Sequence, residues 1–279
     1  MIGSLEILND EQADVVVKLV EKLEKVWIRR EVEPIDFFTI GACTYMDGVA
    51  DIERYHEHRK IMNPLLISHF NWLYDVVIDK FSQMLGPMRV VEELGHPGFH
   101  VFGHKPDQTS HPICVEAFQK PSASLHFDHQ YEEHMNYWNT FDEVNFKEVL
   151  SFTLPVELPQ TGGGLWLWNW TTLHEGALAN FNFQDSHGEA IDFKTYMDDV
   201  DPRCDKDFWQ NKTSPTLCED DPIYDDKPIV LPYKVGRAAY HIGSIWHQIM
   251  PGYKLSDTDR RITLQGHGIK CDGIWRLYF

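Results

Sequence analysis

The sequence predicts a mainly β chain with a helical N-terminal region, and three observations predict it. Apolar residues recur at helical spacing in the first third of the chain. From about residue 98 the texture changes to short apolar or alternating runs broken by glycine, proline and aspartate. Those runs do not alternate with helical stretches, as the strands of a parallel sheet would.

Between Asn9 and Trp27 the residues Val16, Leu19, Val20, Leu23, Val26 and Trp27 fall on one face, with Asn9 and Gln12 placed as cap and reciprocal partner. A second helix is predicted to begin at Asn63-Pro64, where a missing N–H costs nothing in the first turn. It runs to about Leu85, with Phe70, Leu73, Val77 and Phe81 on one side. The strand runs follow: FHVFG (99–103), ICVEAFQ (113–119), SLHFD (124–128), VLSFTLPVEL (149–158), GGLWLW (163–168), PIVLPYKV (228–235), AAYHIG (238–243), RRITLQG (260–266) and IWRLYF (274–279). So many short strands point to an antiparallel sandwich or barrel, and a cupin-like jelly roll, or double-stranded β-helix, is the natural candidate.

The domain reading is one unit over 1–279. Residues 1–95 form a helical support, and 96–279 form the jelly-roll core with an insertion at about 170–227. That insertion is polar, long for a loop, and expected near a functional opening.

With 43% hydrophobic residues in 279, the chain can bury a substantial core. Its formal charge of −18 opposes binding to a phosphate backbone, so nucleic acid is excluded as a partner. No apolar run reaches the roughly 18 residues a membrane helix needs, and MIGSLEILNDEQ lacks the basic start of a secretory signal, so a cytoplasmic protein is expected. Cysteines 43, 114, 204, 218 and 271 form no CxxC pair and are read as free thiols, though Cys204 and Cys218 are close enough in sequence to pair. The sequons at Asn169 and Asn211 carry no weight without secretion. The acidic stretches 198–207 and 218–226 read first as solvated loop, with a lid favouring a cationic substrate as the sharper alternative.

His126-Phe127-Asp128 carries the chemistry. In extended structure, residues two apart project from the same face, so an imidazole and a carboxylate can reach one ion. Composition alone scatters about one His-x-Asp pair through a chain of this kind, so context must decide. His187-Gly188-Glu189 lies in a glycine- and aspartate-rich stretch with no strand to fix it. A second histidine on a distant strand would complete a two-histidine, one-carboxylate face that leaves coordination positions open. His247 and His241 are the candidates.

In its sequence of motifs the chain resembles the 2-oxoglutarate/iron(II) oxygenase superfamily. His126-x-Asp128 is followed by Gly243-Ser244, His247 and Arg261-Ile262-Thr263 in the order that family shows, and TGGGLWLWN (161–169) looks like a strand of its prolyl-hydroxylase-like members. The resemblance covers roughly 98–279 and names no subfamily. It implies iron(II) held by His126, Asp128 and His247, with 2-oxoglutarate and O2 as co-substrates. Arg261 and Thr263 would anchor the far carboxylate of 2-oxoglutarate, because a planar guanidinium offers it two parallel hydrogen bonds. Strand alternation favours Arg261 over Arg260, and a bulge would reverse them. Asp128 favours hydroxylation, desaturation or ring closure of a C–H substrate over halogenation, in which related enzymes lack this carboxylate.

Several residues are given the plainer reading. Trp166, Trp168 and Trp170 are read as packing, His129 and His134 are assigned no role, and Gln119 and Ser124 lie where polar cofactor contacts occur in the family. The predicted substrate is a small molecule. A protein side-chain hydroxylase and a non-oxidative cupin-like metal protein are the alternatives.

Overall fold

The computed structural model describes residues 1–30, 34–120, 126–171 and 228–279. The expectations for His187, Cys204, Cys218, Asn211, Ser124, the acidic stretches and nearly all of the 170–227 insertion lie outside the described residues.

In chain order the elements are β1 (Ile2–Glu6), α1 (Asp10–Lys22), β2 (Ile28–Arg29), β3 (Phe37–Ile40), α2 (Ile52–Leu85), β4 (Met88–Val90), β5 (Gly98–Phe102) and α3 (Pro112–Phe118). Then come α4 (Met135–Trp138), β6 (Val144–Glu157), β7 (Gly164–Thr171), β8 (Ile229–Pro232), β9 (Arg237–Ile242), β10 (Ile245–Ile249), β11 (Arg261–Cys271) and β12 (Ile274–Tyr278). The strands form two sheets, mainly antiparallel. The larger runs β1-β9-β6-β11-β5-β3-β2, with β12 beside β11 and β4 beside β12; the smaller runs β10-β7-β8. An antiparallel bridge between His126 and His247 adds one more segment to the free edge of β10.

Period-two alternation decides what faces where. Phe99 and Val101 of β5, Leu150, Phe152 and Leu154 of β6, Ala238 and Tyr240 of β9, and Ile262 and Leu264 of β11 join one apolar cluster with Val16, Val20, Phe70 and Phe81 of the two long helices. The intervening residues His100, Ser151, Thr153, His241, Gln265 and His267 line a cavity on the opposite face of the large sheet. Leu165, Leu167, Leu231, Tyr233, Ala239 and Ile245 form a second cluster beside it. Each fully buried aliphatic or aromatic side chain of these layers contributes about 1.5–3 kcal/mol by leaving water.

The capping box of α1 forms as the sequence implies: Gln12 N–H donates to Asn9 Oδ1 at 2.9 Å, and Asn9 N–H donates to Gln12 Oε1 at 3.0 Å. The α-helix stops at Lys22, and a 3-10 turn over Glu24–Val26 carries the chain to Trp27. Asn9→Ala is expected to lower stability by about 1 kcal/mol, read as an earlier denaturation midpoint at unchanged slope.

Three expectations are corrected. The second helix does not begin at Pro64; it starts at Ile52, capped by Asp51, whose Oδ1 accepts from Glu53 and Arg54 N–H at 3.1 Å. Pro64 sits inside it, and the carbonyl it deprives of a partner belongs to exposed Lys60, where water can take over. ICVEAFQ is not a strand but helix α3, begun by Pro112 in its first turn and buried only at Phe118; its Ile, Val and Phe had mimicked strand composition. Residues 1–95 are not solely helical, since β1, β2, β3 and β4 join the large sheet there; β3 is buried throughout and has no polar alternation to mark it. Among the described residues no helix is long and apolar enough to cross a membrane.

Candidate metal centre

His126 and His247 face each other across the edge of the small sheet. His126 N–H donates to His247 O at 3.0 Å and His247 N–H returns the bond at 2.8 Å, so the two side chains emerge on the same face. Their rings lie 4.3 Å apart. Asp128, two residues along, is held by its N–H to Gly243 O at 2.6 Å. Glycine is needed at 243, because a Cβ there would lie 2.7 Å from the Asp128 carbonyl oxygen.

These placements bring one donor atom each from His126, Asp128 and His247 within 4.8 Å of one another. His247 Nε2 is 3.5 Å from Asp128 Oδ2, and His126 Nε2 is 3.8 Å from Asp128 Oδ1. The tautomer of His247 follows from its other nitrogen: Nδ1 lies 2.9 Å from the Ile245 carbonyl, which can only accept, so the Nε2 lone pair points to the triad. Burial pushes the His247 imidazole well below its ordinary pKa, keeping it neutral and ligand-competent despite Asp128. Burial opposes the charge of Asp128, but His247, His267, His126 and His241 around it outweigh this and hold the carboxyl well below the usual carboxylate range. Two imidazoles beside an ionised carboxylate, with coordination positions left over, suit a divalent iron-type ion.

Both Asp128 oxygens are engaged. Ser151 Oγ donates to Oδ2 at 2.7 Å, and Gln130 Nε2 donates to Oδ1 at 3.0 Å. Because an ionised carboxylate only accepts, the Ser151 proton goes to Asp128, and His267 Nδ1–H, 3.1 Å away, donates to Ser151 Oγ. Ser151→Ala is expected to weaken metal binding about 10- to 100-fold, the usual cost of an outer partner of a ligand, with Ser151→Thr retaining most of it in a direct metal titration.

The triad opens into a cavity of about 500 Å³. Arg261 and Thr263 lie on the inward-facing series of β11, paired in register with Phe102 and His100 of β5. Arg261 is 1% exposed, its guanidinium 4.2 Å above the Phe102 ring and 5.0 Å from that of Phe118. Burial pushes its pKa down to about 10, so it stays charged at neutral pH. The Thr263 hydroxyl is buried and has no hydrogen-bond partner among the described residues. Arg260 points the other way, bonding Glu157 at 2.9 Å and Glu21 at 2.7 Å. The register slip near Ile262 places the extra residue on β6, so β11 keeps its alternation.

No family model and no curated protein matches the chain. Solved structures do: an N-substituted L-amino acid dioxygenase from Burkholderia ambifaria AMMD in complex with alpha-ketoglutarate is 13% identical, with a TM-score of 0.46, over 99% of this chain and 85% of that one. The non-heme alpha-ketoglutarate dependent epimerase SnoN from nogalamycin biosynthesis is 11% identical with a TM-score of 0.38, over 95% and 79%. The carbocyclase SnoK from the same biosynthesis is 12% identical with a TM-score of 0.37, over 95% and 77%.

The other candidates are placed as follows. His241 is buried beside the triad, its Nε2 4.0 Å from Asp128 Oδ2 and its Nδ1 2.9 Å from the Ile242 carbonyl, outside the group that meets within 4.8 Å. His129 lines the cavity next to Glu132, whereas His134 is remote, 3.0 Å from Thr44 Oγ1. Gln119 is exposed at the end of α3. Trp166 and Trp168 are buried without lining the cavity, where Leu165 forms the β7 wall; the Trp170 side chain lies outside the described residues. Sequence reasoning missed Ser151, Gln130, His267 and His100. For Ser151 and His100 the available signal was polar residues alternating with apolar ones in VLSFTLPVEL and FHVFG.

Proposed function

We propose that this protein is an iron(II)- and 2-oxoglutarate-dependent dioxygenase that oxidises a C–H bond of a small organic molecule. The observation that carries the reading is the pairing of two features: a two-histidine, one-carboxylate face with open positions at the cavity, and, on the face of β11 that carries the cavity-lining Gln265 and His267, a buried charged arginine beside an unsatisfied threonine hydroxyl. A metal protein that never bound a diacid would have no use for the second. We read the alternation of strands between the two sheets from β5 through the His126 bridge to β11, broken only where β7 and β8 pair within the smaller sheet, as the double-stranded β-helix, with 1–95 as its support in a single domain and 170–227 as an insertion.

His126, Asp128 and His247 would hold the iron, and Arg261 with Thr263 would hold the distal carboxylate of 2-oxoglutarate. When bound, the metal and co-substrate supply the oxidising chemistry that the side chains lack. The chain's own part is orientation and exclusion of water. Ser151 and Gln130 fix the Asp128 carboxylate, the Ile245 carbonyl fixes the His247 ring, and Phe127 and Leu165 give the cavity an apolar wall that would keep the reacting bond dry.

 The cavity volume falls in the range of small-ligand sites, which supports a small molecule over an extended peptide.

The test is anaerobic titration of the protein with iron(II) and then 2-oxoglutarate, followed by a metabolite screen for substrate-stimulated succinate release. Iron binding that is indifferent to 2-oxoglutarate would leave the non-oxidative reading in its place.

A further inference from the structure

We propose that His100 is a third anchor of the distal carboxylate, donating a hydrogen bond from Nδ1 beside Arg261 and Thr263 and so selecting diacid over monoacid co-substrates. The inference rests on the 2-oxoglutarate reading above. It adds a residue that neither the motif order nor the metal group singles out.

His100 stands directly opposite Thr263 in the β5/β11 register, and Phe102, next inward on β5, stands opposite Arg261. Side chains directly opposite in an antiparallel pair share a face with Cβ atoms about 4.5–5.5 Å apart, so the imidazole and the Thr263 hydroxyl are neighbours. His100 is 2% exposed and lines the cavity. Its ring is fixed by Phe37, edge-on at 5.2 Å, and by Phe279 at 5.3 Å.

The two ring nitrogens differ. Nε2 lies 2.9 Å from the Tyr45 hydroxyl, whereas Nδ1 is buried and has no partner among the described residues. A buried polar atom of this kind calls for a ligand or a water. Burial and the positive charges of Arg30 and Arg261 hold the imidazole neutral, so one nitrogen carries the proton. A phenol is the stronger donor and an imidazole nitrogen the stronger acceptor, which places the Tyr45 proton on the contact to Nε2 and leaves the imidazole proton at Nδ1. Thr263 Oγ1 and His100 Nδ1 are thus two unsatisfied polar groups on one face, next to a buried guanidinium. A carboxylate answers all three, since it accepts from each.

The experiment measures binding of 2-oxoglutarate and of 2-oxopentanoate, the monoacid of equal chain length, to the metal-loaded protein by anaerobic calorimetry. His100→Leu is expected to weaken 2-oxoglutarate at least about tenfold, the size of one hydrogen bond to a charged acceptor, while 2-oxopentanoate changes little. His100→Asn, whose amide nitrogen can stand where Nδ1 does, should recover part of the loss. Equal weakening of both acids in His100→Leu and His100→Asn means a packing role and overturns the proposal, as does no change in either. If His100→Leu fails to fold, the ratio of the two affinities in His100→Asn and nitrogen NMR of the His100 ring in the parent protein decide: a diacid preference unchanged from the parent, with a ring whose proton sits on Nε2 in the 2-oxoglutarate complex, overturns it. Arg261→Ala serves as the control for the underlying reading. Loss of diacid preference there without loss in the His100 variants rejects only this inference, whereas a parent protein that does not bind 2-oxoglutarate rejects the function itself.

Discussion

Arg261→Ala is expected to weaken 2-oxoglutarate binding by about 2–5 kcal/mol, the range for breaking a buried hydrogen-bonded charge pair. At about 1.4 kcal/mol per factor of ten, that is roughly a thirtyfold loss or more. The magnitude follows from burial: the guanidinium is 1% exposed and stacked against Phe102, so water cannot replace the lost partner of the carboxylate. Arg261→Lys should recover only part, because an ammonium keeps the charge and loses the planar fork. Iron(II) binding should be nearly unchanged in both, since Arg261 is not among the groups that meet at the triad. Arg260→Ala is the matched comparison. Its guanidinium bonds Glu157 and Glu21 on the helix side of the sheet, so its removal should cost stability and leave 2-oxoglutarate affinity intact. Calorimetric titration of the three variants decides it; loss in Arg260→Ala alone would shift the anchor by one residue, and loss in none would remove the diacid from the proposal.

The alternation that separates these two arginines was legible in RRITLQG because one face of β11 meets the helices through Ile262 and Leu264. A one-residue slip would move every apolar side chain to the wrong face, so the pattern fixes the register. The capping box of α1 was legible for a similar reason: a local reciprocal pair needs no tertiary context. What escaped was non-local. Pro64 looks like a helix start, and only the exposure of Lys60 allows it inside α2. Residues 37–40 have strand composition but no polar alternation, since β3 is buried throughout, so FFTI lacks the period-two pattern that marks the other strands. At the site, strand spacing singles out His126-x-Asp128, whereas the residues leave His247 and His241 open and only the family resemblance favours His247. The roles of Ser151 and His267 could not be found by spacing, because they arise only when β6 and β11 bring positions 151 and 267 side by side, and that of Gln130 depends on the 3-10 turn it opens beside Asp128.

Removing any one of His126, Asp128 and His247 by substitution with alanine is expected to abolish turnover and to weaken iron(II) binding by more than the roughly 10- to 100-fold that loss of an outer partner costs. The argument is one of count and geometry. With three protein donors within 4.8 Å, loss of one leaves two, too few to fix an ion that must also keep positions open for exogenous ligands. The three need not respond equally. His126 is the most open of them, its side chain 37% exposed, so solvent can enter its position and the residual affinity should be highest there. Asp128 supplies the negative charge that offsets the ion and is the centre on which Ser151 and Gln130 converge, so Asp128→Ala should be the most severe. His241 is the discriminating control. Its Nε2 is 4.0 Å from Asp128 Oδ2 and its tautomer, like that of His247, leaves a lone pair on that side, yet it stands outside the group that meets at one point. His241→Ala should therefore retain iron, with an effect no larger than that of Ser151→Ala. Direct iron(II) titration of the four variants, read beside their thermal stability, tests the assignment. Full binding by His247→Ala with loss in His241→Ala would move the third position to His241 and reorient the open face of the ion towards β10.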